Sequence, residues 1–290
     1  MAATMVDINV VRALSAFLER YPRWLLLTGA GVSTASGIPD YRDPDGARRG
    51  QAPVQGPEFR RLEAVRKRYW ARSMAGWPVL ARAQPNPAHL AIAELEAKQR
   101  LAGLVTQNVD GLHRRAGSAN LVELHGNIHS VVCLDCGAHF ARELIQSLLH
   151  ENNPDLSAYL QSTVVHAAVR PAPDGDAHLE PDRLADFRVP HCLRCAGTLQ
   201  PDVVFFGDGV PRARTEVAET LLRQADALLV AGSSLMVFSS YRLCRLAAEA
   251  GTPIAAINLG KTRADPLLSF KAEVRTEQAL PLLAGRLAAR

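Results

Sequence analysis

Four cysteines fall into two identical spacings, Cys133-Leu134-Asp135-Cys136 and Cys192-Leu193-Arg194-Cys195. Two residues between thiols is the spacing at which a tight turn aims both sulfurs at one ion. Four thiolates complete a tetrahedral zinc shell and leave no place for water, so the zinc implied by these residues is structural rather than catalytic. Cys244 lies in an apolar helical pattern and reads as a core residue.

A second set of residues suits a phosphate-bearing ligand. Gly29-Ala30-Gly31-Val32-Ser33 follows an apolar run, and glycines there let the backbone approach a pyrophosphate. The next glycine comes only at Gly37, so the spacing departs from the usual G-x-G-x-x-G fingerprint. Gly232-Ser233-Ser234 and Asn258 close two later apolar runs, where nucleotide contacts belong. Asn258 can bond ribose hydroxyls in place of the usual acidic residue, or simply end a strand.

These residues need a frame. The runs 24–28, 101–106, 227–231 and 253–258 are short and apolar without alternation, as strands buried on both faces are. Helical patterns intervene at 212–224 and 239–250, and Asn86-Pro87 is a cap and first-turn proline for another. The expected fold class is α/β, a Rossmann-like parallel sheet with helices on both faces, plus a small inserted zinc-binding and helical domain. Residues 1–38, 88–129 and 200–290 form the discontinuous sheet domain. Residues 39–87, rich in Arg, Pro and Trp, are a helical insertion, and 130–199 a zinc-binding one with a polar, Pro-rich stretch at 169–190. Ligands of open α/β sheets lie at the carboxyl ends of the strands, so the cleft between sheet and insertions is the expected site.

Composition narrows the class. With 290 residues and 48% hydrophobic content the chain buries a full core, which excludes disorder. A balance of 33 basic against 29 acidic residues is too diffuse for a nucleic-acid groove or a membrane face. Ile8, Val11, Leu14, Phe17 and Leu18 recur at helical spacing near the start, without a secretory signal's basic start and cleavage site, and no run is long enough to span a bilayer. The expectation is a soluble cytoplasmic protein, in which paired cysteines are metal ligands more often than disulfides.

The ordered segments GAGVSTASGIPDYR at 29–42, TQNVDGLH at 106–113, ELHG at 123–126, the two C-x-x-C pairs, PDVVFFGD at 201–208, GSS at 232–234 and INLG at 257–260 resemble the sirtuin family. The likeness runs from Trp24 to Leu283. Within it, the segment 69–72, the run 84–89 and the insertion 172–176 resemble the class II branch. The resemblance implies an NAD-dependent protein-lysine deacylase: the acyl group leaves lysine for ADP-ribose, nicotinamide is released, and NAD is consumed. Acylated lysine side chains of proteins or peptides are the implied partners.

The resemblance also assigns residues. His125 matches the base, with His113 as its rival; a histidine suits proton removal from a ribose hydroxyl at neutral pH. Asn108 matches the position that holds a water or ribose, and Asp110 the one that bonds the nicotinamide carboxamide. Gly29, Ala30, Gly31, Ser33, Thr34, Ile38, Pro39, Asp40, Tyr41, Arg42, Gln107 and Val109 are the nearer NAD contacts, with Tyr41 as an aromatic lid. Gly232, Ser233, Ser234, Asn258, Leu259, Gly260 and Thr276 complete them. Val204, Phe206, Gly207 and Val237 match the walls between which an extended peptide adds as a strand. Asp208 stands where glutamate is usual. Tyr69 and Arg72 form a Y-x-x-R pair that on a helix shares one face, and in relatives removing acidic acyl groups such a pair grips the distal carboxylate. Glutaryl-like or branched acidic acyl-lysines are then expected to outperform acetyl-lysine, with the loop 172–184 entering the pocket. Two other functions fit the same residues, a mono-ADP-ribosyltransferase and an NAD-sensing module without turnover.

Overall fold

The computed structural model describes residues 8–49, 52–162, 172–177, 179 and 186–287. The strands are β1 (Trp24–Thr28), β2 (Leu101–Thr106), β3 (Leu121–Glu123), β4 (Gly126–Cys133), β5 (His139–Ala141), β6 (Leu199–Val203), β7 (Ala227–Ala231), β8 (Ile254–Ile257) and β9 (Phe270–Ala272). The helices are α1 (Ile8–Glu19), α2 (Gly56–Arg61), α3 (Glu63–Arg82), α4 (Pro87–Ala97), α5 (Leu112–Arg115), α6 (Arg142–Asn152), α7 (Pro154–Gln161), α8 (Arg212–Arg223), α9 (Phe238–Glu249) and α10 (Thr276–Arg286).

A six-stranded sheet runs in the order β3-β2-β1-β7-β8-β9, every pairing parallel. Its central strands are apolar throughout because both faces are covered. Trp24, Leu26 and Leu229 pack on one side against α1, α4 and α10, while Leu25, Leu27 and Val230 pack on the other against α8 and α9. Fully burying one such side chain contributes about 1.5–3 kcal/mol. The helix expected near the start is α1, with Val11, Leu14, Phe17 and Leu18 buried; Ile8, placed on the same stripe, is instead exposed in its first turn.

A second sheet, antiparallel β5-β4-β6, carries the smaller lobe. It begins at Gly126 and ends at Val203, so it straddles residues 129/130 and 199/200, where sequence reading divides the chain. The lobe's core gathers Phe59, Trp70 and Met74 of the helical insertion with Val131, Ile145 and Leu199 of the zinc-bearing one. The two insertions therefore share one core. Part of the stretch 169–190 and of the loop 172–184 lies outside the described residues.

Asn86 caps α4, accepting the Ala88 amide at 2.9 Å, and its Nδ2 reaches the Val32 carbonyl at 2.8 Å. One side chain thus starts a helix and anchors the loop that follows β1. No helix among the described residues is long and apolar enough to cross a membrane.

Candidate active site

A cavity of about 1020 Å³ lies at the carboxyl ends of β1, β2, β7 and β8 and is roofed by the smaller lobe. Two glycine turns form part of its floor. The Gly31 amide donates to the Gly232 carbonyl at 2.9 Å. Gly232 has φ +60°, and a Cβ there would lie 2.5 Å from the Val32 nitrogen, so the close approach of the loops requires glycine.

Polar side chains are linked along the cavity wall. Ser33 Oγ donates to Asp110 Oδ2 at 2.7 Å, and Asn108 Nδ2 donates to Ser33 Oγ and the Gly29 carbonyl, both at 3.1 Å. Burial raises the Asp110 pKa, while the Ser33 hydroxyl and the Leu112 amide oppose the shift. Gln107 Nε2 donates to Ser233 Oγ at 2.8 Å, joining the β2 end to the β7 end.

His125, on the turn between β3 and β4, faces this cavity. Its Nδ1 lies 3.0 Å from the Gln107 carbonyl oxygen, which can only accept, so Nδ1 carries the proton. Nε2 is then the basic nitrogen. Desolvation lowers its pKa, partly offset by the Gln107 contact, and the Arg214 charge lowers it further. The lowered pKa favours the neutral ring, the form in which Nε2 can accept a proton. His113, the rival, lies outside the cavity wall, buried with Nε2 2.9 Å from Thr28 Oγ1. It supports the floor.

All the remaining residues expected to touch NAD line this cavity, with one exception: Gly29 sits behind it, its amide bonded to the Ala231 carbonyl. Arg42 Nη1 is turned onto the Gly46 carbonyl at 2.8 Å, and Asn258 Nδ2 onto the Gly260 carbonyl at 2.9 Å. Thr276 opens α10, its hydroxyl 3.3 Å from the Gly31 carbonyl. The size and the donor set at the strand ends fit a dinucleotide with room for a second substrate.

One residue expected on the substrate side lies off the cavity wall. Tyr69, Val204, Phe206, Gly207 and Val237 line the cavity, but Arg72 does not. Its Nε donates to the Ala177 carbonyl at 2.8 Å and lies 2.8 Å from Asp176 Oδ1, so the guanidinium is turned toward acceptors of the chain itself. Tyr69 is packed edge-on against Phe59 and Phe205. Asp208 also lines the cavity and pairs through both oxygens with Arg60, at 2.5 and 2.9 Å. Sequence reading did not single out Asp174, Asp176 or Ser239, all of which line the cavity. The first two lie in the A-P-D-G-D insertion; nothing in the sequence marks the third.

The four paired cysteines converge away from this cavity, all four sulfurs within 4.8 Å of one another. Cys133 and Cys195 sulfurs are 3.5 Å apart and those of Cys136 and Cys192 3.7 Å. Zinc–sulfur bonds of about 2.3 Å give a tetrahedron of edge about 3.8 Å, so the sulfurs fit one zinc. Both turns repeat one pattern, the Gly137 amide on the Cys133 carbonyl and the Ala196 amide on the Cys192 carbonyl. Cys244 is buried in α9, apart from them.

A parallel sheet with this cavity and a four-thiolate lobe defines a class, and comparison identifies it. The Sir2 family model matches residues 29–239, and the chain belongs to that family. It is 51% identical over 268 residues to NAD-dependent protein deacetylase 3 of Pseudomonas syringae pv. tomato, covering 92% of each chain. It is 45% identical to the mitochondrial NAD-dependent protein lipoamidase sirtuin-4 of Bos taurus, covering 97% of this chain and 88% of that one. A solved structure described as Sir2-p53 peptide-NAD+ superposes with TM-score 0.71 at 28% identity, covering 93% of this chain and 95% of the other.

Proposed function

We propose that the chain is an NAD-dependent protein-lysine deacylase that transfers the acyl group to ADP-ribose and releases nicotinamide. The observation that carries this reading is one cavity whose wall includes Gly31 and Gly232 of the glycine turns, His125 with its unprotonated Nε2, and residues of the segment 203–208. NAD supplies the electrophile, the anomeric carbon of its nicotinamide ribose, and is consumed. Asp110 and Asn108, locked together through Ser33, orient the nicotinamide end and a ribose hydroxyl. Tyr41 shields the reacting centre from water. His125 takes the hydroxyl proton on Nε2.

The segment 203–208 already has one edge paired: the Val204 amide donates to the His125 carbonyl, and the Phe206 carbonyl accepts from the Gly56 amide. An acylated peptide adds between this segment and Val237, its lysine directed at His125. Membership of the class II branch is supported by the insertion at 172–176 and by the likeness to the cattle relative.

The test is incubation with NAD and an acetyl-lysine peptide, with products resolved by mass spectrometry. Equal amounts of nicotinamide, free lysine peptide and acyl-ADP-ribose are expected. ADP-ribose attached to the peptide or to the protein would favour the transferase reading, and nicotinamide release without peptide would contradict the deacylase.

A further inference from the structure

His125 is held at both ring nitrogens. Nδ1–H donates to the Gln107 carbonyl, so Nε2 bears the lone pair, and the Ser239 hydroxyl lies 2.8 Å from it. In the neutral ring this hydroxyl donates to Nε2. Ser239 sits in the first turn of α9 and lines the same cavity as His125. The lone pair that takes a substrate proton is therefore already occupied by a side chain with a further lone pair open.

We propose that Ser239 relays the proton from the substrate hydroxyl to His125, an inference that rests on His125 being the base. As the substrate O–H bond breaks, its proton forms a new bond to Ser239 Oγ. The original Oγ–H bond breaks and that proton forms the Nε2–H bond. Serine ends neutral, the ring ends as imidazolium, and the substrate oxygen keeps the electron pair. A hydroxyl suits this step because it donates and accepts at once. The Nε2–H so formed then donates back to Oγ, so the same contact holds both charge states. From the other elements around the ring the charged group is Arg214 of α8, paired with Asp202 of β6; on α9 itself Arg242 is paired with Glu219. Neither pair involves the Ser239 hydroxyl.

The experiment compares wild type, Ser239→Ala, Ser239→Thr and His125→Ala. Readouts are deacylation rate against pH, solvent deuterium effects in H2O/D2O mixtures, and NAD affinity by calorimetry. Ser239→Ala is expected to lose roughly tenfold to a hundredfold in kcat with NAD affinity retained. Its acid limb should move down by roughly one unit, because hydrogen bonds stabilise the charged ring more than the neutral one. The proton inventory should fall from two protons to one, and Ser239→Thr should restore rate and inventory. Ser239→Ala with near-normal turnover, or a loss with unchanged inventory and limb, overturns the relay. Inactive His125→Ala beside fully active Ser239→Ala removes the relay alone, whereas active His125→Ala removes the base and the relay with it.

Discussion

Arg72 and Asp176 form a half-buried ion pair, Nε to Oδ1 at 2.8 Å, at the edge of the cavity whose wall includes Tyr69 and Asp176 but not the guanidinium. Burial raises the Asp176 pKa to about 6, with the Arg72 charge opposing the shift, so the carboxylate is mostly ionised at pH 7. An acidic acyl group reaching for Arg72 meets this carboxylate first. Acetyl-lysine is therefore expected to be turned over better than glutaryl-lysine, and Asp176→Ala should raise the glutaryl-to-acetyl ratio about tenfold, the effect of ~1.4 kcal/mol. Parallel assays of the two peptides check this; an unchanged ratio would show that Asp176 does not govern acyl choice.

Two buried histidines are expected to make the fold acid-sensitive. His89 and His113 have ring centroids 4.8 Å apart beneath the cavity floor, and desolvation lowers both pKa values, His89 to about 4. A histidine with a depressed folded pKa gives stability that is present above the unfolded value near 6.5 and lost as pH falls through the folded value. For His89 the loss between pH 6.5 and 4 is about 3 kcal/mol. Urea unfolding at pH 7 and pH 4.5 should show His89→Gln losing less stability over that interval than wild type. Equal losses would mean that His89 is protonated in the folded protein.

Much of this frame is legible in the residues themselves. The runs 24–28, 101–106 and 227–231 are strands as read, because burial on both faces makes them apolar up to the buried threonines Thr28 and Thr106 that end the first two. β3 and β9 have three residues each, too few to show any period. β4 was hidden because its burial is mixed and its first residue belongs to the motif that holds His125. The C-x-x-C spacing marks each thiolate pair within the chain, and the ELHG segment singles out His125 through the family resemblance. The Arg72–Asp176 pair and the His125–Ser239 contact join residues 104 and 114 positions apart, and only tertiary packing brings those side chains together.

The thiolate cluster should bind one zinc per chain and support the lobe rather than the chemistry. Cys136→Ser is expected to lose the metal and lower the thermal midpoint, with aromatic circular dichroism from Trp70 and Trp77 collapsing in step. Elemental analysis and melting curves with and without a chelator measure this. A variant that retains zinc, or a chelated protein with an unchanged melt, would contradict the structural assignment.

On the proposed reading His125 serves proton transfer and not cofactor affinity. The decisive measurement is deacylation rate and NAD dissociation constant for His125→Ala beside wild type, both at pH 7.5. The expected result is a rate lower by roughly a hundredfold to ten-thousandfold with the dissociation constant within about threefold. Near-normal turnover by the variant would contradict the assignment of His125 as the base.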